Sequence, residues 1–214
     1  MALSKREIRS SYDSAAKYYD FALRLYGLIG IRKAYRSRAV KLLRLQRGDC
    51  VVELGCGTGI NFPLIIEKIG PEGRLIGVDL APKMLACARE RVERAGWKNI
   101  ELVQSDIVAY NFPEGVNGVL STGVFGYIAD CDRVINAASQ ALVPGGRLVI
   151  MDGKRPERLP SWVFHLIVWL SRSFGVTSDY FDKRTWESVE RYFRETAFEQ
   201  MYGGMLYISS GTTA

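Results

Sequence analysis

Histidine is nearly missing from this 214-residue chain, which has only His165. Metal sites and proton relays commonly draw on several histidines, so a His/Cys metal centre is not expected. Cysteine is sparse too: Cys50, Cys56, Cys87 and Cys131 are widely spaced and form no C-x-x-C pair. They read as reduced thiols of a cytosolic protein, packed as small buried side chains. Long apolar runs are absent. The longest, Trp162 to Leu170, falls well short of the roughly 20 residues that a spanning helix needs. The opening Met1 to Arg9 has no apolar core of a secretory signal, so the expected location is cytoplasmic. Repeats and low-complexity tracts are also lacking. Acidic residues are in deficit, 23 against 29 Lys+Arg, for a net charge of +6. That balance suits nucleic acid or an anionic membrane surface. Because no aromatic stacking platform or dense Arg/Lys tract accompanies it, nucleic acid is not expected as a partner.

What remains is ordinary for one folded domain, with 48% hydrophobic and 24% charged residues, values that argue against disorder. The chain turns on Cys50 to Asn61, Cys-Val-Val-Glu-Leu-Gly-Cys-Gly-Thr-Gly-Ile-Asn. An apolar run ends in Glu53 and breaks into alternating Gly55, Gly57 and Gly59 before a new apolar-periodic segment. This is a strand, a tight turn and a helix start, with the Cβ atoms removed where a ligand would approach the backbone. The spacing departs from the G-x-G-x-x-G of dinucleotide sites, and no G-x-x-x-x-G-K-[ST] occurs anywhere. A second acid, Asp79, closes the run Arg74 to Asp79 about 20 residues past the last glycine, where a carboxylate meets ribose hydroxyls. A nucleoside fits better than a diphosphate.

Glu53-Leu-Gly-Cys-Gly-Thr-Gly59, Gly77-Val-Asp79, Ser105-Asp106-Ile107 and Leu142-Val-Pro-Gly-Gly-Arg-Leu148 together resemble the class I S-adenosylmethionine (SAM) dependent methyltransferases. The resemblance implies SAM as cofactor. It sets the turn, Gly55, Cys56, Gly57, Thr58 and Gly59 with Glu53, against the methionine part. Asp79 and Leu80 fall at the ribose, Met84, Ser105, Asp106 and Ile107 at the adenine, and Ser121 and Thr122 after the fourth strand. Tyr12-Asp13…Tyr19-Asp20 resembles the entry segment of the ubiquinone/menaquinone C-methyltransferase and phospholipid N-methyltransferase branch, which implies that Tyr12 and Tyr19 fold over the cofactor. Anchoring an N-terminal helix to the core is the other reading of these two tyrosines.

Periodicity predicts strands near 50–54, 74–79, 100–103, 116–121 and 147–152, and helices near 60–69, 82–95, 131–142 and 185–194. Two short strands follow, across a Gly203-Gly204 hairpin. The expected fold is α/β: a Rossmann-like, doubly wound, seven-stranded sheet with an antiparallel edge. Residues 1–46 are an N-terminal helical lid segment, 47–214 the SAM-binding domain, and 154–183 a helical insertion before the last helix and strands. Ile31 to Leu45 reads as a basic amphipathic helix with Ile31, Ala34, Tyr35, Arg38, Leu42 and Leu45 near one side. It suits either anionic lipid or plain solvent.

The insertion carries Trp162 to Leu170, which suits a cover over the acceptor, a bilayer contact or burial against the domain. Tyr127 with Phe125 follows the fourth strand, where the family sets residues against the acceptor; packing under the loop is the alternative. Candidate acceptor positioners or bases are Asp152, Tyr19, Tyr127 and His165, the last also readable as a packing residue. Asp152 closes the fifth strand before Lys154-Arg-Pro156, where the quinone branch carries an acid. The loop after Asp106 and the Gly123 to Tyr127 segment depart from the quinone pattern, which sets a phospholipid amine head group ahead of a quinol. A soluble aromatic molecule and a noncatalytic SAM-binding subunit stay open, as does the oligomeric state.

Overall fold

A computed structural model describes residues 31–157, 159–172 and 176–214, with Glu7 and Ser10 as isolated positions. Tyr12 and Tyr19 lie outside the described residues. In chain order the elements are α1 (Ile31–Leu42), β1 (Cys50–Leu54), α2 (Phe62–Ile69), β2 (Arg74–Asp79), α3 (Pro82–Ala95), β3 (Ile100–Gln104), β4 (Val116–Thr122), α4 (Cys131–Ala141), β5 (Leu142–Gly153), α5 (Ser161–Ser171), α6 (Thr185–Tyr192), β6 (Arg194–Met201) and β7 (Leu206–Thr212). The strands make one seven-stranded sheet in the order β3-β2-β1-β4-β5-β7-β6.

Successive strand residues point to opposite faces, and the sequence fills both with apolar side chains. Val51, Leu75, Leu120 and Val149 meet α1, α2 and α3. Val52, Ile76, Val119 and Ile150 meet α4 and α6. Removing each such side chain from water contributes about 1.5–3 kcal/mol, so register is firmly held on both faces. Helix α3 starts on Pro82 and stops at Gly96, whose left-handed φ of 71° lets its N–H close back on Glu93 and Val92. Its Met84, Leu85 and Ala88 are buried, a stripe at helical spacing.

The predicted alternation matches the structure, with three differences. First, β7 is the antiparallel strand and lies between β5 and β6, so the antiparallel member sits one place in from the edge. Second, Pro144-Gly145-Gly146 does not separate helix from strand. Val116 pairs with Leu142 and Gly118 with Arg147, and the prolyl-glycyl segment between them is absorbed as a bulge in β5. Third, the buried stripe of α1 is rotated by about one residue. Ala39, Val40 and Leu43 are buried while Ala34 and Arg38 are exposed, and Arg38 bonds Glu199 across 2.6 Å. Packing on the sheet, rather than the widest apolar arc, sets that rotation.

Candidate cofactor and acceptor site

From β1 the sheet proceeds to β2 and β3 on one side and to β4 on the other, so the topological switch lies between β1 and β4. In open α/β sheets ligands bind beyond the carboxyl ends of the strands at this switch. The glycine turn sits there. Gly55, Gly57 and Gly59 have φ of 68°, 55° and 72°, the left-handed region that disfavours side chains. The N–H groups of Gly55 and Cys56 both donate to the Val78 carbonyl, at 2.8 and 3.0 Å, which pins the turn to β2. A Cβ on Gly55 would lie 2.2 Å from Val124 Cγ2, whereas one on Gly57 would meet nothing within 4 Å. Gly57 therefore marks the open side of the turn. Its N–H donates to Asp79 Oδ2 at 2.8 Å, and Ala81 N–H donates to Asp79 Oδ1 at 2.8 Å, fixing that carboxylate at the end of β2.

Behind the turn, Glu53 is 1% exposed. Its Oε1 accepts from Asn61 Nδ2 at 2.6 Å, and Oε2 has no hydrogen-bond partner. Burial pushes its carboxyl up to about 8, against the Asn61 hydrogen bond and the nearby Arg36 charge. Asn61 Nδ2 also reaches Thr122 Oγ1 at 3.1 Å. Arg36 Nη1 of α1 donates to Asn61 Oδ1 at 2.9 Å and Thr122 Oγ1 at 3.3 Å. One polar cluster thus spans the ends of β1 and β4 and the start of α2. Sequence reasoning missed Arg36 and Asn61. The signal for Arg36 was its i+3 and i+4 spacing to Ala39 and Val40; Asn61 had only its place at the helix start.

The other predicted cofactor residues divide into two groups. Met84 and Ile107 are buried, as apolar neighbours of an adenine require, and half-buried Leu80 follows Asp79. Asp106 Oδ1 accepts from Val108 N–H at 3.1 Å, capping the short helix Ile107–Ala109. Ser105 Oγ donates to the Asp106 carbonyl at 3.1 Å. The side chains of Cys56 and Thr58 in the turn and of Ser121 in β4 are buried. The Cys56 thiol is buried, with its pKa raised well above the ordinary range by desolvation. Thr58 is buried, and its carbonyl accepts from Arg91 Nε at 2.9 Å. Ser121 Oγ donates to the Leu54 carbonyl at 3.0 Å and ties β4 to β1. Overall the groups at the switch suit SAM: open backbone at Gly57, acidic side chains at Asp79 and Glu53, and apolar side chains at Met84 and Ile107.

The acceptor candidates fare unequally. Asp152, at the end of β5, is 2% exposed. It accepts from Gly153 N–H at 2.7 Å, Gly126 N–H at 3.2 Å and the Tyr180 hydroxyl. Burial raises its pKa, with those donors opposing. Its geometry is that of a pin holding the turn Phe125–Tyr127 and the short helix Ser178–Asp182 to β5. Phe125 is fully buried. The Tyr127 ring packs against Tyr180 at 4.7 Å, Tyr180 against Phe181 at 5.0 Å, and Phe181 against Phe164 of α5 at 5.3 Å. Tyr180 carried no sequence motif and was missed. His165 is not brought to Asp152's cluster of partners: it is exposed on α5, with Nδ1 2.7 Å from the Ser161 carbonyl, so Nδ1 is the donor. Helix α5 does not bury its tryptophans, since Trp162, Leu166 and Trp169 are 71%, 47% and 63% exposed. Among the described residues no helix is long and apolar enough to cross a membrane.

Known proteins share this fold. Residues 51–146 match the family described as Methyltransferase domain. The demethylmenaquinone methyltransferase of Listeria welshimeri is 31% identical over 158 residues, covering 73% of this chain and 63% of that protein. The chain therefore spans less than two thirds of the Listeria relative's length. The 2-phytyl-1,4-naphtoquinone methyltransferase of Thermosynechococcus vestitus is 28% identical over 192 residues, covering 86% and 83%. A solved structure of Haemonchus contortus phosphoethanolamine N-methyltransferase 2 with S-adenosyl-L-methionine superposes with a TM-score of 0.63 at 17% identity, covering 79% and 49%, which bears on the fold. With its parallel strands, glycine turn and acidic strand ends, the chain has the fold of the SAM-dependent methyltransferases and carries a methyltransferase domain over residues 51–146.

Proposed function

We propose that the chain methylates a hydrophobic, lipid-borne acceptor, with a quinol-type ring ahead of a phospholipid amine head group. The observation that carries this reading is the two-faced character of α5. Its Trp162, Leu166 and Trp169 share one exposed stripe at i, i+4 and i+7. On its other face buried Phe164 opens an aromatic layer that runs through Phe181, Tyr180 and Tyr127 to the end of β5. Tryptophan on an exposed face, with exposed Arg172 one turn beyond Trp169, suits the headgroup level of an anionic bilayer. The names of the two curated relatives, a demethylmenaquinone and a 2-phytyl-1,4-naphtoquinone methyltransferase, favour a quinone-type ring acceptor over an amine. So does Asp152, whose carboxylate is occupied by three donors rather than offered to a cation.

In this reading SAM supplies an activated methyl group on sulfur, and the protein supplies alignment and exclusion of water. Gly57, Asp79 and the Glu53 cluster would hold the cofactor at the β1/β4 switch. Met84 and Ile107 would flank the adenine. Tyr127 and Tyr180 would line the acceptor side, with Asp152 orienting Tyr180. The part of the chain before α1, Tyr12 and Tyr19 included, is assigned as the cover over the cofactor. A peripheral place on the cytoplasmic membrane surface follows from the lipid-borne acceptor.

The test gives purified protein methyl-labelled SAM with total membrane lipids and, in parallel, a delipidated soluble extract. Label is expected in the organic phase, in a quinone fraction on chromatography. A phospholipid fraction would reverse the order of the two acceptors, and label confined to the aqueous fraction would overturn the lipid reading.

A further inference from the structure

We infer that Arg147 is the centre of a second binding site, which takes a phosphate-type oxyanion on the α1 face of β5 and β7, at the end of the sheet opposite the cofactor. Among the described residues four buried side-chain polar atoms lack a hydrogen-bond partner: Glu53 Oε2, Arg147 Nε, Ser210 Oγ and Thr212 Oγ1. Such atoms are rare in folded proteins and call for an explanation. The first belongs to the cofactor site. The other three lie together. Arg147 stands opposite Thr212, and Val149, two residues on, stands opposite Ser210, so all three polar side chains project from the face that packs Val149 with α1. Direct and diagonal cross-strand neighbours of this kind have Cβ atoms about 5 to 8 Å apart, close enough for one small ligand to meet all three.

The charges around Arg147 say which ligand. Its side chain is 6% exposed, and it is the one buried cation among the described residues. Burial lowers its pKa, the Arg44 charge just beyond α1 lowers it further, and Glu195 opposes them. A third basic residue, exposed Arg194, pairs with Thr212 in the ladder from β6. A guanidinium held out of water is costly unless it is paired. An oxyanion would pair it through the guanidinium fork, relieve its repulsion by Arg44 and accept from the Ser210 and Thr212 hydroxyls. A cation would add to the repulsion, and an apolar ligand would leave every donor unmet. Two arginines and two hydroxyls suit a tetrahedral phosphate, which offers more acceptor oxygens than a carboxylate. Position selects the source. From Arg147 to Asp152 β5 advances five residues, about 17 Å, so the site lies at the end of the sheet away from Asp152 and the exposed stripe of α5. A soluble phosphate or phosphate ester fits that place better than a lipid head group.

Calorimetry and thermal melts test this with inorganic phosphate as the probe, ionic strength being held constant with sodium chloride. Wild type is expected to bind phosphate saturably, half-saturating at or below about 1 mM, with a melting temperature that rises as phosphate is added. Arg147→Met should weaken phosphate by at least about tenfold, and Ser210→Ala by about two- to fivefold. Without phosphate Arg147→Met should melt no lower than wild type, because it exchanges an unpaired buried charge for an apolar side chain. S-adenosylhomocysteine affinity should stay within about twofold in both variants. Binding to phosphatidylcholine vesicles, with or without phosphatidylglycerol, should be the same for wild type and Arg147→Met. A wild type without a saturable phosphate response would overturn the proposal, as would an Arg147→Met protein that keeps wild-type phosphate affinity. So would an Arg147→Met protein that melts well below wild type or fails to fold without phosphate, since the guanidinium would then have its partners within the chain. Vesicle binding that falls in Arg147→Met, with no response of wild type to inorganic phosphate, would give the site to a lipid head group and overturn the soluble source. None of these outcomes depends on the SAM reading.

Discussion

The two halves of the sheet hold their ligand-facing groups by different means. On the β1–β2 side the work is done by backbone: the N–H groups of Gly55 and Cys56 fasten to Val78, and those of Gly57 and Ala81 aim Asp79. On the β5 side it is done by side chains from distant segments, with Asp152 receiving Tyr180 and an aromatic layer running from Tyr127 to Phe164. Backbone geometry admits one residue type, glycine, at the turn. An aromatic layer accepts many solutions of similar volume. The contrast suits an enzyme family with a constant donor and a varied acceptor, where one half is held fixed and the other is free to change.

Substitution at the turn should break the first half most severely. Gly55→Val brings a Cβ within 2.2 Å of Val124 at a φ of 68°. It should cost about 3–5 kcal/mol by combined overlap and left-handed strain, read as a fall in denaturant midpoint. Gly57→Ala meets no atom within 4 Å, so it should cost only about 1–2 kcal/mol of stability while still weakening S-adenosylhomocysteine in calorimetry. Equal destabilisation by both would erase the distinction between a packed glycine and an open one.

Glu53 gives the next largest effect and a pH signature. Its carboxyl is raised to about 8 from an ordinary 4.5, so below pH 4.5 it is protonated whether the chain is folded or not. Between pH 4.5 and 8 the unfolded chain ionises and the folded chain does not. Stability contributed by this group is therefore present below 4.5 and lost as pH rises through about 8. Glu53→Gln keeps an oxygen for Asn61 and should stabilise the ligand-free protein by about 3 kcal/mol at pH 7, fading toward pH 4.5 in a series of thermal melts. Wild type should gain S-adenosylhomocysteine affinity toward pH 8.5 as Glu53 ionises, and the same variant should flatten that rise. A variant less stable than wild type at pH 7 would mean that Glu53 is ionised in the fold.

Asp152→Asn should sharpen the comparison from the other side. It turns one carboxylate oxygen into an amide donor facing Gly126 N–H or Gly153 N–H, which should cost about 2 kcal/mol in chemical denaturation. Affinity for S-adenosylhomocysteine should stay within about twofold, since the cost falls on the acceptor half. Loss of cofactor binding would show that the two halves are coupled through β5.

Legibility followed the same divide. Strands β1 to β4, helix α3 and the glycine turn were readable because each depends on neighbours in sequence: two-residue alternation, Pro82 and Gly96 at the ends of a helix, three glycines at spacing two. The antiparallel place of β7, the bulge at Pro144 and the rotation of α1 were not, since each is chosen by what a segment packs against. The same holds for the tryptophans of α5. Their spacing marked a single face, but whether that face turns inward or outward depends on Phe164 finding Phe181.

By itself the sequence determined the doubly wound sheet and the open glycine turn after β1, because left-handed backbone and a missing Cβ are properties of glycine wherever it stands. Only the tertiary structure decided that Arg36 and Asn61 join Glu53, and that Tyr180 engages Asp152. Those meetings depend on helix rotation and on contacts between residues far apart in the chain, which side-chain packing fixes and local sequence does not.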